Sequence, residues 1–186
     1  MFKTVCSCAA GLLLTANVAL AGSIGQGERK DFQIAKDIAT SVQRYTQFTI
    51  FDDVSANVND GVVTLTGKVT MPFKRDDIGR RVAKIDGVRS VDDQITVLPV
   101  SQFDDELRYR IARSIYNNAN FWSYAIMANP SIHIVVEHGR VTLTGVVQSQ
   151  VDRMLARSLA TQFGALSVTN ALQTDAEVSE ARAKSE

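Results

Sequence analysis

Two histidines, four aspartate pairs and one compact group of aromatic residues are the side chains of this sequence that could do chemistry. His133 and His138 are the only histidines. On an extended strand their odd spacing sends the two rings to opposite faces, which rules against a shared metal ion. The aspartate pairs at 52–53, 76–77, 92–93 and 104–105 offer carboxylates for acid/base work or for calcium, yet no loop places its oxygens at the alternating spacing of a calcium site. Helix capping and loop solvation account for most of them. Serines and threonines are plentiful, but none sits on a recognisable nucleophile elbow beside a base. The sequence therefore predicts no catalytic residue, no metal ligand and no cofactor.

Two stretches look more like surfaces than like active sites. Lys74, Arg75, Arg80, Arg81 and Lys84 fall on one helical segment, and the 80/84 and 81/84 spacings make neighbours of three of the charges. Such a stripe suits anionic headgroups, where each cation near the surface contributes about 1 kcal/mol. The competing reading is a solvated outer face neutralised by Asp76, Asp77 and Asp86. Arg108, Arg110, Arg113, Arg153 and Arg157 form a comparable set further along the chain. The second stretch is "NNANFWSYAIMANPS", which places Phe121, Trp122, Tyr124, Ile126 and Met127 close together. Aromatic rings with polar tips favour a water–lipid interface or the hot spot of a protein interface. Alternatively the stretch folds down as a helical extension and seals the joint between two small modules, whose cores need additional apolar area. Membrane or partner contact is assigned to Phe121, Trp122, Tyr124, Ile126 and Met127 together with Lys74, Arg80, Arg81, Lys84, Arg110 and Arg113.

The elements that must position these residues come in two copies. "GVVTLTGKV" begins at Gly61 and "GRVTLTGVV" begins at Gly139, 78 residues later. Before each phrase lie a helical pattern and an alternating strand. In the first copy the helix is expected to bury Phe32, Ala35, Ile38, Ala39, Val42 and Tyr45 behind an Asp31 N-cap. In the second it buries Leu107, Ile111 and Ile115 behind Asp104 or Asp105. The strands alternate through Val54, Ala56 and Val58, and through Ile132, Ile134 and Val136. Asp60-Gly61 and His138-Gly139 then read as tight hairpin turns, so each phrase is the second arm of a hairpin. A further helix follows in each copy, on Ile78, Val82 and Ile85 or on Val151, Leu155, Leu159 and Phe163, and stops near Gly87 or Gly164. The separation drops by one residue between the phrase and these glycines, which the pattern places at the helix entrance. The order helix, strand, strand, helix, strand predicts an α+β fold of two tandem αββαβ modules, each a small three-stranded sheet with two helices on one face. Modules of about 70 residues bury little surface alone, so packing together or a partner, including a second copy, is expected.

With these patterns in place, the chain resembles the BON domain family, named for bacterial osmotically inducible and nodulation proteins. The family's turn glycine, Val-x-Leu-x-Gly strand, alanine-containing helix and Gly-Val close match at Gly61, Val63, Leu65, Gly67, Ala83, Gly87, Val88 and Val91. They match again at Gly139, Val141, Leu143, Gly145, Ala160, Gly164 and Val168, with Ala165 in place of a valine. The resemblance implies the αββαβ fold, an exported or envelope location, and a non-catalytic role on phospholipid surfaces or other envelope components. The aromatic stretch is the departure: the first module spends about five residues fewer there.

Composition agrees with a globular protein, since 45% of the 186 residues are hydrophobic and 22% charged. Lys3 followed by "VCSCAAGLLLTANVALA" reads as a cleaved secretory signal over residues 1–21 that carries both cysteines away. Removal of Lys3 leaves one fewer basic than acidic side chain, a net charge of about −1, which does not suggest a nucleic-acid binder. The expected organisation is a linker over 22–29, modules over 30–99 and 100–175, and a flexible charged tail over 176–186. The function expected is that of a non-enzymatic periplasmic protein, peripheral to an anionic phospholipid membrane, in envelope integrity or osmotic-stress protection. The alternative is an adaptor or self-associating module that binds an envelope protein and no lipid.

Overall fold

The structure is a computed structural model that describes residues 24–185. The expected signal over 1–21, with its two cysteines, lies outside the described residues. The first module comprises α1 (Ile24–Gln43), β1 (Asp53–Asn59), β2 (Val62–Val69), α2 (Pro72–Val82) and β3 (Ser90–Val97). The second comprises α3 (Gln102–Tyr116), a short α4 (Trp122–Ala125), β4 (Ile132–Glu137), β5 (Arg140–Val147), α5 (Gln150–Ala160), β6 (Ser167–Asn170), β7 (Gln173–Thr174) and α6 (Asp175–Ser185). β2 is central in the first sheet, antiparallel to β1 and parallel to β3. β5 holds the same place between β4 and β6, and β7 continues the β6 side of it. The two αββαβ modules expected from the sequence are therefore present.

Apolar periodicity explains which faces turn inward. Ile34, Ile38, Val42 and Tyr45 of the first helical segment are buried, as are Leu107, Ile111 and Ile115 of α3. The inward stripe of α1 runs through Ile34 and leaves Phe32 exposed, a shift from the expected register. Val63, Leu65 and Val69 on β2, like Val141, Leu143 and Val147 on β5, fill the two cores. Burying each such side chain is worth about 1.5–3 kcal/mol. In α5 the fully buried positions are Ala156 and Ala160, while Val151 points to solvent and Leu155 and Leu159 are half-buried. The two second helices have equal length, so the one-residue difference falls after them rather than at their entrance.

The duplicated phrase carries two strict backbone demands. At the turns, Asp60 and Gly61 have φ of 50° and 74°, and His138 and Gly139 have 51° and 73°, the left-handed pair that a two-residue hairpin needs. Further along, a Cβ on Gly67 would stand 2.1 Å from the Asp53 carbonyl oxygen, and one on Gly145 1.8 Å from that of Ser131. Only glycine lets the partner strand approach so closely.

The modules are joined by the segment between α1 and β1. Ile50 and Phe51 pack against the core of the second module, and the Ile50 carbonyl accepts from Ile134 N at 2.7 Å. His133 Nδ1 lies 2.6 Å from the Asp52 carbonyl oxygen, Phe48 lies against the His133 ring, and Lys68 pairs with Glu137. These contacts cover part of the exposed edge of β4. Two terminal segments differ from expectation. α1 starts inside the expected linker, at Ile24, and the expected flexible tail is helical from Asp175. The start of α6 is held by reciprocal bonds, with Thr174 N donating to Glu177 and Glu177 N to Thr174 Oγ1.

Candidate functional site

Three aspartates that read as caps in the sequence have longer reach. Asp31 lies inside α1, and its carboxylate accepts from the backbone amides of Asp60 and Gly61 at 2.7 and 2.9 Å. Asp104, fully buried in the first turn of α3, does the same to His138 and Gly139 at 2.8 and 2.7 Å. Ser101 is the actual N-cap of α3. Each module thus ties its first helix to its hairpin turn with one carboxylate. The third, Asp52, is buried and accepts from the amides and hydroxyls of Thr49 and Thr70 and from Lys74 Nζ at 2.6 Å. Burial opposes ionisation of Asp52, but the bonds from Lys74, Thr70 and Thr49 outweigh it and hold its carboxyl below the usual range.

That pair corrects the cationic stripe. Lys74 is buried and serves Asp52, so it does not reach an external headgroup. Arg80 pairs with Asp77 of its own helix, and Arg81 lies over the Tyr45 ring at 4.6 Å. The Tyr45 hydroxyl is pushed up to about 12 by burial and by its 2.7 Å bond to Asp77. Lys84 and Arg113 are exposed, and Arg110 is exposed beside Glu106 at 3.0 Å. Arg108 is buried: it bonds the Val136 carbonyl and lies over Phe51. The stripe is a set of mostly paired charges, and Lys74 is no part of it.

The aromatic stretch divides into an inner and an outer half. Phe121 and Tyr124 are buried, which removes them as direct contacts for membrane or partner. Tyr124 accepts from Gln148 N at 2.7 Å and donates to Asp152 at 3.0 Å, and burial raises its pKa. Those bonds fasten the stretch to the first turn of α5. Trp122, Ile126 and Met127 stand outward at 68%, 66% and 47% exposure. Val151 and Met154 of α5 are exposed nearby in sequence to the anchoring Asp152. Spacing along a four-residue helix carries the division: successive inward positions at 121 and 124 leave 122 and 126 outside.

Residues 30–99 and 104–176 each match the BON domain. The chain belongs to the BON domain family. The resemblance carried by the paired Gly-x-Val-Thr-Leu-Thr-Gly phrases therefore holds across both modules. No curated protein matches the sequence. Two solved structures from Chlamydia trachomatis are similar to it. One is the C-terminal domain of CdsD, a structural protein of the type III secretion system, at 20% identity and TM-score 0.33, covering 80% of this chain and 69% of that one. The other, also of CdsD, has 14% identity and TM-score 0.26 and covers 78% of this chain and 97% of that one. Likeness at this level says nothing of what the present BON domains bind. A pair of BON domains fits a non-catalytic envelope protein. Among the described residues no helix is long and apolar enough to cross a membrane, and no three His, Cys, Asp or Glu side chains converge as a metal site. His133 serves the joint between the BON domains, and His138 occupies a turn.

Proposed function

We propose that this protein is a non-enzymatic envelope protein that docks peripherally on anionic phospholipid surfaces, in support of envelope integrity under osmotic stress. The observation that carries the reading is the outward half of the second module's insert. Trp122, Ile126 and Met127 are exposed on a segment whose other half is locked into the core. The segment is already fastened through Tyr124, so little backbone order is lost when the exposed indole enters a headgroup layer, and its amphipathic ring suits that depth. Lys84, Arg81 and Arg113 add electrostatic attraction of about 1 kcal/mol per cation that reaches the surface. Because Arg80 and Arg110 already have carboxylate partners, the apolar insert supplies the larger share.

The test is sedimentation of the mature chain with phosphatidylglycerol vesicles. Binding at low salt, weakened by high salt, should accompany a blue shift in emission from the only tryptophan, and Trp122→Ala should abolish sedimentation with the vesicles without unfolding the protein. A chain that stays in the supernatant with unchanged emission overturns the lipid reading. The same paired charges favour a second reading, an adaptor whose Trp122 is a protein hot spot. Crosslinking in cells from position 126 separates the two, since recovery of lipid alone counts against the adaptor.

A further inference from the structure

Between its second helix and third strand the second module has a groove, and two of its residues have first-module counterparts of different chemistry. The registers fix the correspondence. β3 pairs Asp93 with Leu65, β6 pairs Asn170 with Leu143, and α2 and α5 follow their hairpins at the same distance. In the first module the helix contributes Gly79, and a Cβ there would lie 3.2 Å from the Asp93 carboxylate. Glycine lets that carboxylate sit against the helix. In the second module the equivalent of Gly79 is Arg157, and the equivalent of Asp93 is Asn170, whose amide donates to the Arg153 carbonyl at 2.8 Å. Arg153, Arg157, Gln150, Ser158, Thr161 and Asn170 line an open groove of about 350 Å³, with Met154 at its rim. No carboxylate lines it.

We infer that this groove of the second module binds a phosphate monoester or diester, with Arg157 and Arg153 as its charged ligands. Arginines one helical turn apart present two planar donor forks to one anion, the geometry that phosphate oxygens accept best. Ser158 and Gln150 stand beside them as neutral donors. Arg153 already holds an anion: its Nη1 bonds both carboxylate oxygens of Glu177, on α6, at 2.9 and 3.2 Å. That contact leaves Nη2 and Nε of Arg153 for a ligand, and Glu177 competes with it. The groove is built from α5 and β6, so the inference does not rest on the Trp122 segment, and it applies to a soluble phosphate compound as much as to a lipid headgroup.

The experiment follows backbone amide shifts of the mature chain during titration with sn-glycerol 3-phosphate, alongside sedimentation with phosphatidylglycerol vesicles. Saturable shifts within 150–161 and at 170 are expected. Arg157→Gln should weaken the soluble ligand about tenfold, the worth of one charge-assisted hydrogen bond. Glu177→Gln should strengthen it by freeing Arg153. Amides that do not move, or that move equally in Arg157→Gln, overturn the site. If glycerol phosphate saturates the groove while vesicles do not bind, the groove stands and the lipid reading falls. If vesicles bind the wild type and Arg157→Gln alike while glycerol phosphate leaves the groove amides unmoved, the groove falls and the lipid reading stands. Far-UV circular dichroism confirms that each variant is folded.

Discussion

The two modules meet the same local need with opposite chemistry. At the end of the hairpin's second arm, the amide of Thr70 in one module and of Gln148 in the other points inward and needs an acceptor. In the first module the acceptor is the Asp52 carboxylate, and a buried charge in turn demands the Lys74 ammonium. In the second module the acceptor is the Tyr124 phenol, whose proton goes to Asp152, the positional equivalent of Lys74. A neutral hydroxyl needs no counter-ion. It does need a segment long enough to bring it there, and that segment is the insert. The difference teaches that the insert has a structural task first, and that Trp122, Ile126 and Met127 are the outer side of the device that performs it.

The comparison breaks most visibly at the ion pair. Asp52→Ala leaves Lys74 buried without its charge partner and should destabilise the first module by about 3–5 kcal/mol, measured by amide hydrogen exchange. Tyr124→Phe leaves only the Gln148 amide and the Asp152 carboxylate short of a partner, and the insert can relax toward water. A smaller loss in the second module, about 1–2 kcal/mol, is expected from denaturant unfolding followed through Trp122 emission. Acid sharpens the contrast further. A carboxyl depressed in the folded state contributes stability above its unfolded pKa and loses it as pH falls through the folded value. Each unit of depression at Asp52 is worth about 1.4 kcal/mol, so the first module should weaken below about pH 4 and Asp52→Asn should flatten that dependence. Tyr124, whose pKa is raised, is protonated throughout this range and adds no such slope.

Much of the architecture was legible because it is local. Strand alternation, the Asp60-Gly61 and His138-Gly139 turns, and the order of elements depend on neighbours within a few residues. Long-range polar partners were not. An aspartate inside α1 and an N-cap aspartate look alike in one dimension, so the reach of Asp31 and Asp104 to turns about 30 residues away was hidden. Lys74 fits a cationic stripe by spacing, and only the burial of Asp52 takes it out. The insert's composition announced a surface, whereas its division depended on the acceptor that Gln148 N required. One signal was available: the second module replaces Ile78 and Val82 by Ala156 and Ala160, which leaves volume that an extra aromatic pair in the same core occupies.

The joining segment has a consequence for the order in which the chain becomes itself. Ile50 and Phe51 precede every strand of the first module, yet they complete the core of the second. Synthesis runs from the amino terminus, so these two side chains exist for some time before the surface they belong to. Until Ile134 arrives to donate to the Ile50 carbonyl, the finished first module carries an apolar tab and an unanswered acceptor. The second module, cut free at residue 100, would carry the matching scar. The boundary between the modules is thus a place in the sequence but not a seam in the folding.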